Sequence, residues 1–235
     1  MGSQVPPAPN HQPLFTMALA DVLDAFASNE PVPGGGSAAA LAGAVGVSLL
    51  LMVAGLSKTR TGAPEEAADL AEAAARLRPL RDTLATLIDR DAEAYAAVVK
   101  AMRLPKDTDA DRQQRRAAID TAMREAIAVP LDTMRACQQA LRGAVTVDRN
   151  GNPNAATDTG SAALLLIAGL RGAALNVTVN LESVSDPAWI ERVANERDEL
   201  IADADADYGL VDGRRAGGAT PVTAKDSTVN DKSTG

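Results

Sequence analysis

Histidine and cysteine are almost missing from this chain: His11 and Cys137 are the only ones in 235 residues. One cysteine forms no disulfide within the chain, and the common zinc sites built from His and Cys lack ligands. A Ser-His-Asp or Cys-His device would have to recruit His11, which sits in the proline-rich opening MGSQVPPAPNHQP. Residues 1–15 read as a disordered arm with little to bury. If the protein is an enzyme, its proton transfers therefore fall to Asp, Glu, Lys, Tyr and Asn.

Aromatic residues are nearly as scarce, with one Trp, two Tyr and two Phe. Strand-forming residues are thus few, whereas alanine, the best helix former, makes up roughly a fifth of the chain. An all-β sandwich or barrel is close to excluded, and 46% apolar residues suffice for a large helical core. There is no basic excess either: 23 Lys and Arg stand against 31 Asp and Glu, a net charge of −8. Nonspecific affinity for nucleic acid or anionic lipid is not expected. The opening has neither a basic nor an apolar leader segment, so a cytoplasmic location is expected.

Charge is absent altogether from Pro31 to Ser57, PVPGGGSAAALAGAVGVSLLLMVAGLS. That length reaches the requirement for a membrane span. Its glycines, alanines and serines make it small rather than greasy, which favours a fully buried central helix over a span. The other apolar stretch carries Arg171 in its middle.

The remaining chain shows helical spacing. Leu19, Val22, Leu23 and Phe26 fall on one face, with Thr16 as the expected N-cap. Pro64, Glu65 and Glu66 open a helix that Pro79 kinks or restarts and that runs to Met102. A second long track covers about 109 to 143, interrupted at Pro130, another follows RNGNPNAATD, and a last one runs from Pro187 to about Asp207. The strand-like segments AVTV and NVTVN lie in helical surroundings and are read as helical. The expectation is an all-α, multihelical single domain over residues 16–208, with six to eight helices and a disordered tail over 209–235.

Five places in this frame carry chemical interest. Pro33, Gly34, Gly35, Gly36 and Ser37 precede the uncharged helix, either as a plain turn or as a loop presenting N–H groups to a ligand. Asn152, Asn154, Thr157 and Asp158 crowd a helix entrance, where Asp158 either caps the helix or joins a set that fixes a flat heterocycle. Asn176 and Asn180 share one helix face, as an interhelical hydrogen-bonding pair or as ligand contacts. Asp91, four residues before Tyr95, is either solvated or driven toward the core, where a raised pKa suits an acid or base. Lys106 follows Leu104-Pro105 at a helix end, neutralising exposed carbonyls or reaching into a cleft.

In order along the chain, PGGGS, the Asp91 helix, RLPK, EAIAVPL, GNPNAATD and AALNVTVNL resemble the cyclodeaminase/cyclohydrolase family of tetrahydrofolate enzymes over about residues 17 to 207. This family includes methenyltetrahydrofolate cyclohydrolases and the cyclodeaminase domain of formiminotransferase-cyclodeaminase. The resemblance places the family's proline-glycine loop on Pro33 to Ser37, its aspartate on Asp91, its Pro-Lys on Pro105 and Lys106, its asparagine and Ser-Asp motif on Asn152, Asn154, Thr157 and Asp158, and its paired asparagines on Asn176 and Asn180. Thr157 stands where the family usually has serine, and the basic run after the buried helix is reduced to Lys58 and Arg60.

What the resemblance implies is a homodimer with folate sites near the subunit interface. It also implies hydrolysis of 5,10-methenyltetrahydrofolate to 10-formyltetrahydrofolate, with formimidoyltetrahydrofolate cyclodeamination as the alternative and a non-catalytic folate-binding dimer as a third reading. Asp91, Lys106 and Asp158 are the expected catalytic residues, with the glycine loop and the asparagines binding substrate. No metal and no cofactor beyond the folate are expected, nor a nucleic-acid or membrane partner.

Overall fold

The computed structural model describes residues 13–216, with side chains described through residue 213. Six α-helices account for most of them, with no strand among the described residues: α1 (Leu19–Ala27), α2 (Gly35–Ala54), α3 (Pro64–Met102), α4 (Asp109–Asn150), α5 (Ala156–Leu181) and α6 (Pro187–Ala216). Short 3-10 turns at Leu14–Thr16 and Pro153–Ala155 precede α1 and α5.

The helix starts follow local chemistry. Pro64 occupies the first turn of α3 with Glu65 and Glu66 behind it. Thr108 and Asp111 form a reciprocal capping box at the start of α4. Asp186 caps α6 by accepting the Trp189 N–H at 3.1 Å.

Four helices form an up-and-down bundle. Contacts between Ser37 and Asp91, Leu77 and Gly143, and Asn180 and Ala126 show that successive neighbours α2, α3, α4 and α5 alternate in direction. Helix α5 closes the ring against α2, so α2 meets α3, α4 and α5 and buries Ala40, Val47, Leu50 and Val53. The small residues permit this: a Cβ on Gly169 would lie 2.7 Å from the Ala39 carbonyl oxygen, and one on Gly46 2.9 Å from that of Ala162. Helix α6 lies outside α4 and α5, held by Arg135 to Glu196, Arg142 to Asp203 and Arg171 to Asp205. By length and composition α2 and the stretch from Pro153 to Leu181 both meet the requirement for a membrane span, and both pack one side into this core; α2 is therefore not fully buried as expected, since Val45 and Met52 are exposed.

Several expectations need correction. Pro79 and Pro130 neither restart nor interrupt their helices. The lost hydrogen bond and ring clash cost about 3 kcal/mol in an isolated helix. Here, burial of Leu77 and Leu84 beside Pro79, and of Val129, Pro130 and Leu131, offsets that cost, and Pro79 itself is exposed. Helix α4 continues past residue 143 to Asn150, while AVTV in α4 and NVTVN in α5 are helical as expected. Helix α6 continues past Asp207 through Ala216, the last described residue, with Ala204 and Val211 buried. Residues 209–216 of the expected tail are therefore helical, and 217–235 lie outside the described residues, as do 1–12 with His11.

Thr16 is not the cap of α1; Ala18 holds that position, and the Thr16 hydroxyl donates to the Pro13 carbonyl. The Leu14 N–H donates to Asp89 at 2.6 Å, tying the end of the expected arm to α3. Of the apolar face on α1 only Val22 is buried, while Leu19 and Leu23 are exposed.

Candidate active site

At the start of α2, Gly34 takes the N-cap position but has no side chain to accept a hydrogen bond. The acceptor comes from another helix. Asp91 of α3 reaches across, and its Oδ2 accepts the Ser37 N–H at 2.8 Å and the Ser37 hydroxyl at 3.1 Å. Gly36 makes room for this approach, since a Cβ there would lie 2.0 Å from Asp91 Oδ1. Burial pushes the Asp91 carboxyl above its ordinary value, while the two bonds from Ser37 oppose the shift.

Asp91 lines a cavity of about 410 Å3. Gly34, Gly35 and Gly36 form one wall, Tyr95 continues the α3 side, and Asn176 and Asn180 face them from α5, with Met102 and Met123 adding apolar surface. Asn180 Nδ2 donates to the Ala126 carbonyl on α4 at 2.9 Å, and Asn176 Nδ2 to Gly172 within α5 at 3.0 Å. The asparagines thus do not pair with each other; each commits one amide N–H to backbone, which leaves its carbonyl oxygen as an acceptor and its second N–H as a donor. Asp91 and Tyr95 are the titratable side chains of the cavity wall.

Glycine loop, aspartate and paired asparagines therefore converge. Ser37 and Pro33 are set back from the wall: Ser37 is fully buried and spends its hydroxyl on Asp91 rather than on a ligand. Lys106 is exposed in the loop after α3, four residues beyond Met102.

The second polar cluster lies elsewhere. Asn152 Oδ1 accepts the Asn154 N–H at 3.0 Å, and Asp158 stands in the first turn of α5, whose N-cap carries no side-chain hydrogen bond. Asp158 is thus not a cap. Eighteen helical steps apart in α5, Asp158 and Asn176 of one chain are separated by about 27 Å. Arg60 caps the end of α4, its guanidinium donating to the Asp148 and Arg149 carbonyls, while Lys58 is exposed. Spacing alone did not reveal Met102 and Met123 as cavity residues, because they belong to different helices.

A larger groove of about 730 Å3 runs between α3 and α4 at the far end of the bundle. Its charges are largely spent on neighbours, Arg76 on Glu72 and Arg142 on Asp203, and none of the motif residues lines it. Among the described residues, no three His, Cys, Asp or Glu side chains gather as a metal site.

The model of the formiminotransferase-cyclodeaminase family matches residues 18–199. The chain belongs to that family. It is 42% identical over 184 residues to methenyltetrahydrofolate cyclohydrolase of Methylorubrum extorquens, covering 78% of this chain and 88% of that protein. It is 33% identical over 210 residues to the formimidoyltransferase-cyclodeaminase of Sus scrofa, covering 88% of this chain but only 38% of the longer pig protein. A crystal structure of formiminotetrahydrofolate cyclodeaminase from Thermotoga maritima matches with a TM-score of 0.77 at 26% identity, over 86% of this chain and 97% of that one. The all-helical fold of this family member is thus that of a solved relative, and the converging residues lie within the matched span.

Proposed function

We propose that this protein hydrolyses 5,10-methenyltetrahydrofolate to 10-formyltetrahydrofolate. The observation that carries the reading is the 42% identity to the Methylorubrum cyclohydrolase over nearly the whole of that protein, joined to a cavity with a single carboxylate.

Chemistry and geometry agree. Water adds to the cationic carbon between N5 and N10, and Asp91 takes one of its protons as the C–O bond forms. The carbinolamine then collapses: its C–N5 bond breaks, N5 receives the proton from Asp91, and the hydroxyl proton leaves to solvent as the formyl C=O forms. Net, one water is consumed and one proton released. A carboxyl with a raised pKa suits both halves of this shuttle, and its charge also stabilises the cation. The carbonyl oxygens of Asn176 and Asn180 supply acceptors for the pterin N–H groups.

In this reading the protein is a homodimer. Helix α2 has no charged residue, and Val45 and Met52 on α2 and Leu164, Leu175 and Val179 on α5 are all exposed. Arg171 turns away to Asp205 on α6. A two-fold axis in that face, perpendicular to the helices, buries both stripes and brings the partner's α5 N-terminus to the Asp91 cavity. Thr157, Asp158, Asn152 and Asn154 then complete the other subunit's site, with Lys106 at its mouth. The enzyme acts in the cytoplasm without a metal or a cofactor beyond the folate.

The Thermotoga match favours a second reaction at the same site: N10 attacks a formimino carbon on N5 and ammonia leaves, giving the methenyl compound. Both reactions pass through a tetrahedral carbon between N5 and N10. The deciding experiment mixes the purified protein with 5,10-methenyltetrahydrofolate and follows its near-ultraviolet band. Loss faster than in a control without enzyme is expected. No acceleration, with the band instead growing from 5-formiminotetrahydrofolate, overturns the cyclohydrolase in favour of the cyclodeaminase; failure of both leaves a folate-binding dimer.

A further inference from the structure

We infer that Ser37 is a positioning residue that assigns the two oxygens of Asp91 different tasks, Oδ2 being fixed as the cap of α2 and Oδ1 being the oxygen that exchanges the proton. The inference rests on the proposed acid–base role of Asp91. It goes beyond that role in naming the working atom and the residue that selects it.

Three observations carry it. Both donors of Ser37, the backbone N–H at 2.8 Å and the hydroxyl at 3.1 Å, converge on Oδ2 and neither on Oδ1. Ser37 is fully buried and off the cavity wall, so its hydroxyl serves the carboxylate rather than a ligand. Asp91 lines the cavity, and its Oδ1, which lies against the bare Cα of Gly36, receives no hydrogen bond among the described residues and is not sealed from solvent.

The consequence is electrostatic. An oxygen that already accepts two hydrogen bonds is a poor proton acceptor, because protonation there displaces a donor. Oδ1 has no such bonds to lose. The N–H of Ser37, in the first turn of α2, is also one of the unpaired donors that every helix start must satisfy, so Oδ2 is held whether or not substrate is present. Little else in the cavity interferes. From α3 the other titratable group is Tyr95; α4 presents Met123 and Ala126, α5 presents the uncharged Asn176 and Asn180, and the loop before α2 presents none.

The test combines Ser37→Ala, which removes one of the two donors, with Ser37→Thr, which restores a hydroxyl. Two quantities are read on the full chain: the pH profile of kcat/KM with 5,10-methenyltetrahydrofolate, and the 13C titration of the Asp91 carboxyl in ligand-free protein, assigned by its absence in Asp91→Asn. Losing a hydrogen bond to the ionised form is expected to move both midpoints upward by roughly 0.5 to 1 pH unit in Ser37→Ala. Ser37→Thr returns them toward wild type. A uniform fall in turnover with unmoved midpoints overturns the inference and leaves Ser37 as packing. If no protein turns over the methenyl compound, the proposed reaction fails while the carboxyl titration still decides the role of Ser37: a shifted midpoint supports it, an unmoved one overturns it.

Discussion

Asp91 and Gly36 share one space: the carboxylate of the first lies where the side chain of the second would be, 2.0 Å from Oδ1 to the Cβ that glycine lacks. The pairing joins two helices, α2 and α3, at the one wall of the cavity that carries a titratable acid.

Gly36→Ala is therefore expected to expel the Asp91 carboxylate from its seat, since a methyl and a carboxylate oxygen cannot approach so closely. If Asp91 is the acid–base group, turnover falls by about a hundredfold or more, the range general acid–base catalysis supplies. Helix content by circular dichroism stays at the wild-type level. Wild-type turnover in the variant would show that Asp91 does not need this seat.

Asp91→Asn separates stability from activity. The folded-state pKa of Asp91 lies above its unfolded value, so the folded state gains from protonation below the unfolded pKa and loses that gain as pH rises through the folded one. An amide accepts the same bonds from Ser37 without burying a charge. The variant is expected to melt at a higher temperature than wild type near neutrality, with the difference shrinking toward about pH 4, and to be inactive. Thermal melts across that range provide the check.

Close approach of α2 and α5 rests on Gly169, whose added Cβ would meet the Ala39 carbonyl oxygen at 2.7 Å and the Gly43 nitrogen at 3.2 Å. Both are backbone atoms and cannot swing aside. Gly169→Ala should destabilise the fold by about 1–3 kcal/mol, the usual effect of overpacking. Urea unfolding curves measure it, and an unchanged midpoint would contradict the packing described.

The proposed shared site predicts complementation. Asp91→Asn and Asp158→Asn homodimers should each be nearly inactive, while a re-equilibrated mixture regains about a quarter of wild-type activity, because half the dimers are mixed and each has one intact site. Leu175→Glu, on the exposed stripe of α5, should shift the protein to monomer in sedimentation analysis and abolish the recovery. A mixture that stays inactive would place Asp158 outside the partner's site.

The all-helical class, the opening of α3 at Pro64, its end at Met102 and the central place of α2 were readable from composition and spacing, though α2 is buried on one side only. Those features depend on residues within a few turns of one another. The continuity of α3 and α4 through Pro79 and Pro130 was not readable, since the local penalty of proline is visible in sequence but the burial that offsets it comes from other helices. Asp91, the glycine loop and Asn176 were recognisable as candidates one by one.

Their number and kind came from the sequence; their grouping did not. Ser37 and Asp91 are 54 residues apart, and only the antiparallel packing of α2 on α3 makes the serine a donor to the aspartate instead of a ligand contact. Asp158 and Asn176, by contrast, stand toward opposite ends of one helix, a separation that 1.5 Å per residue makes unavoidable within a single chain whatever the packing. Sequence thus determined which helices form and which chemistries are available. Packing decided which side chains share a cavity, because contacts between helices depend on direction and depth that no local pattern encodes.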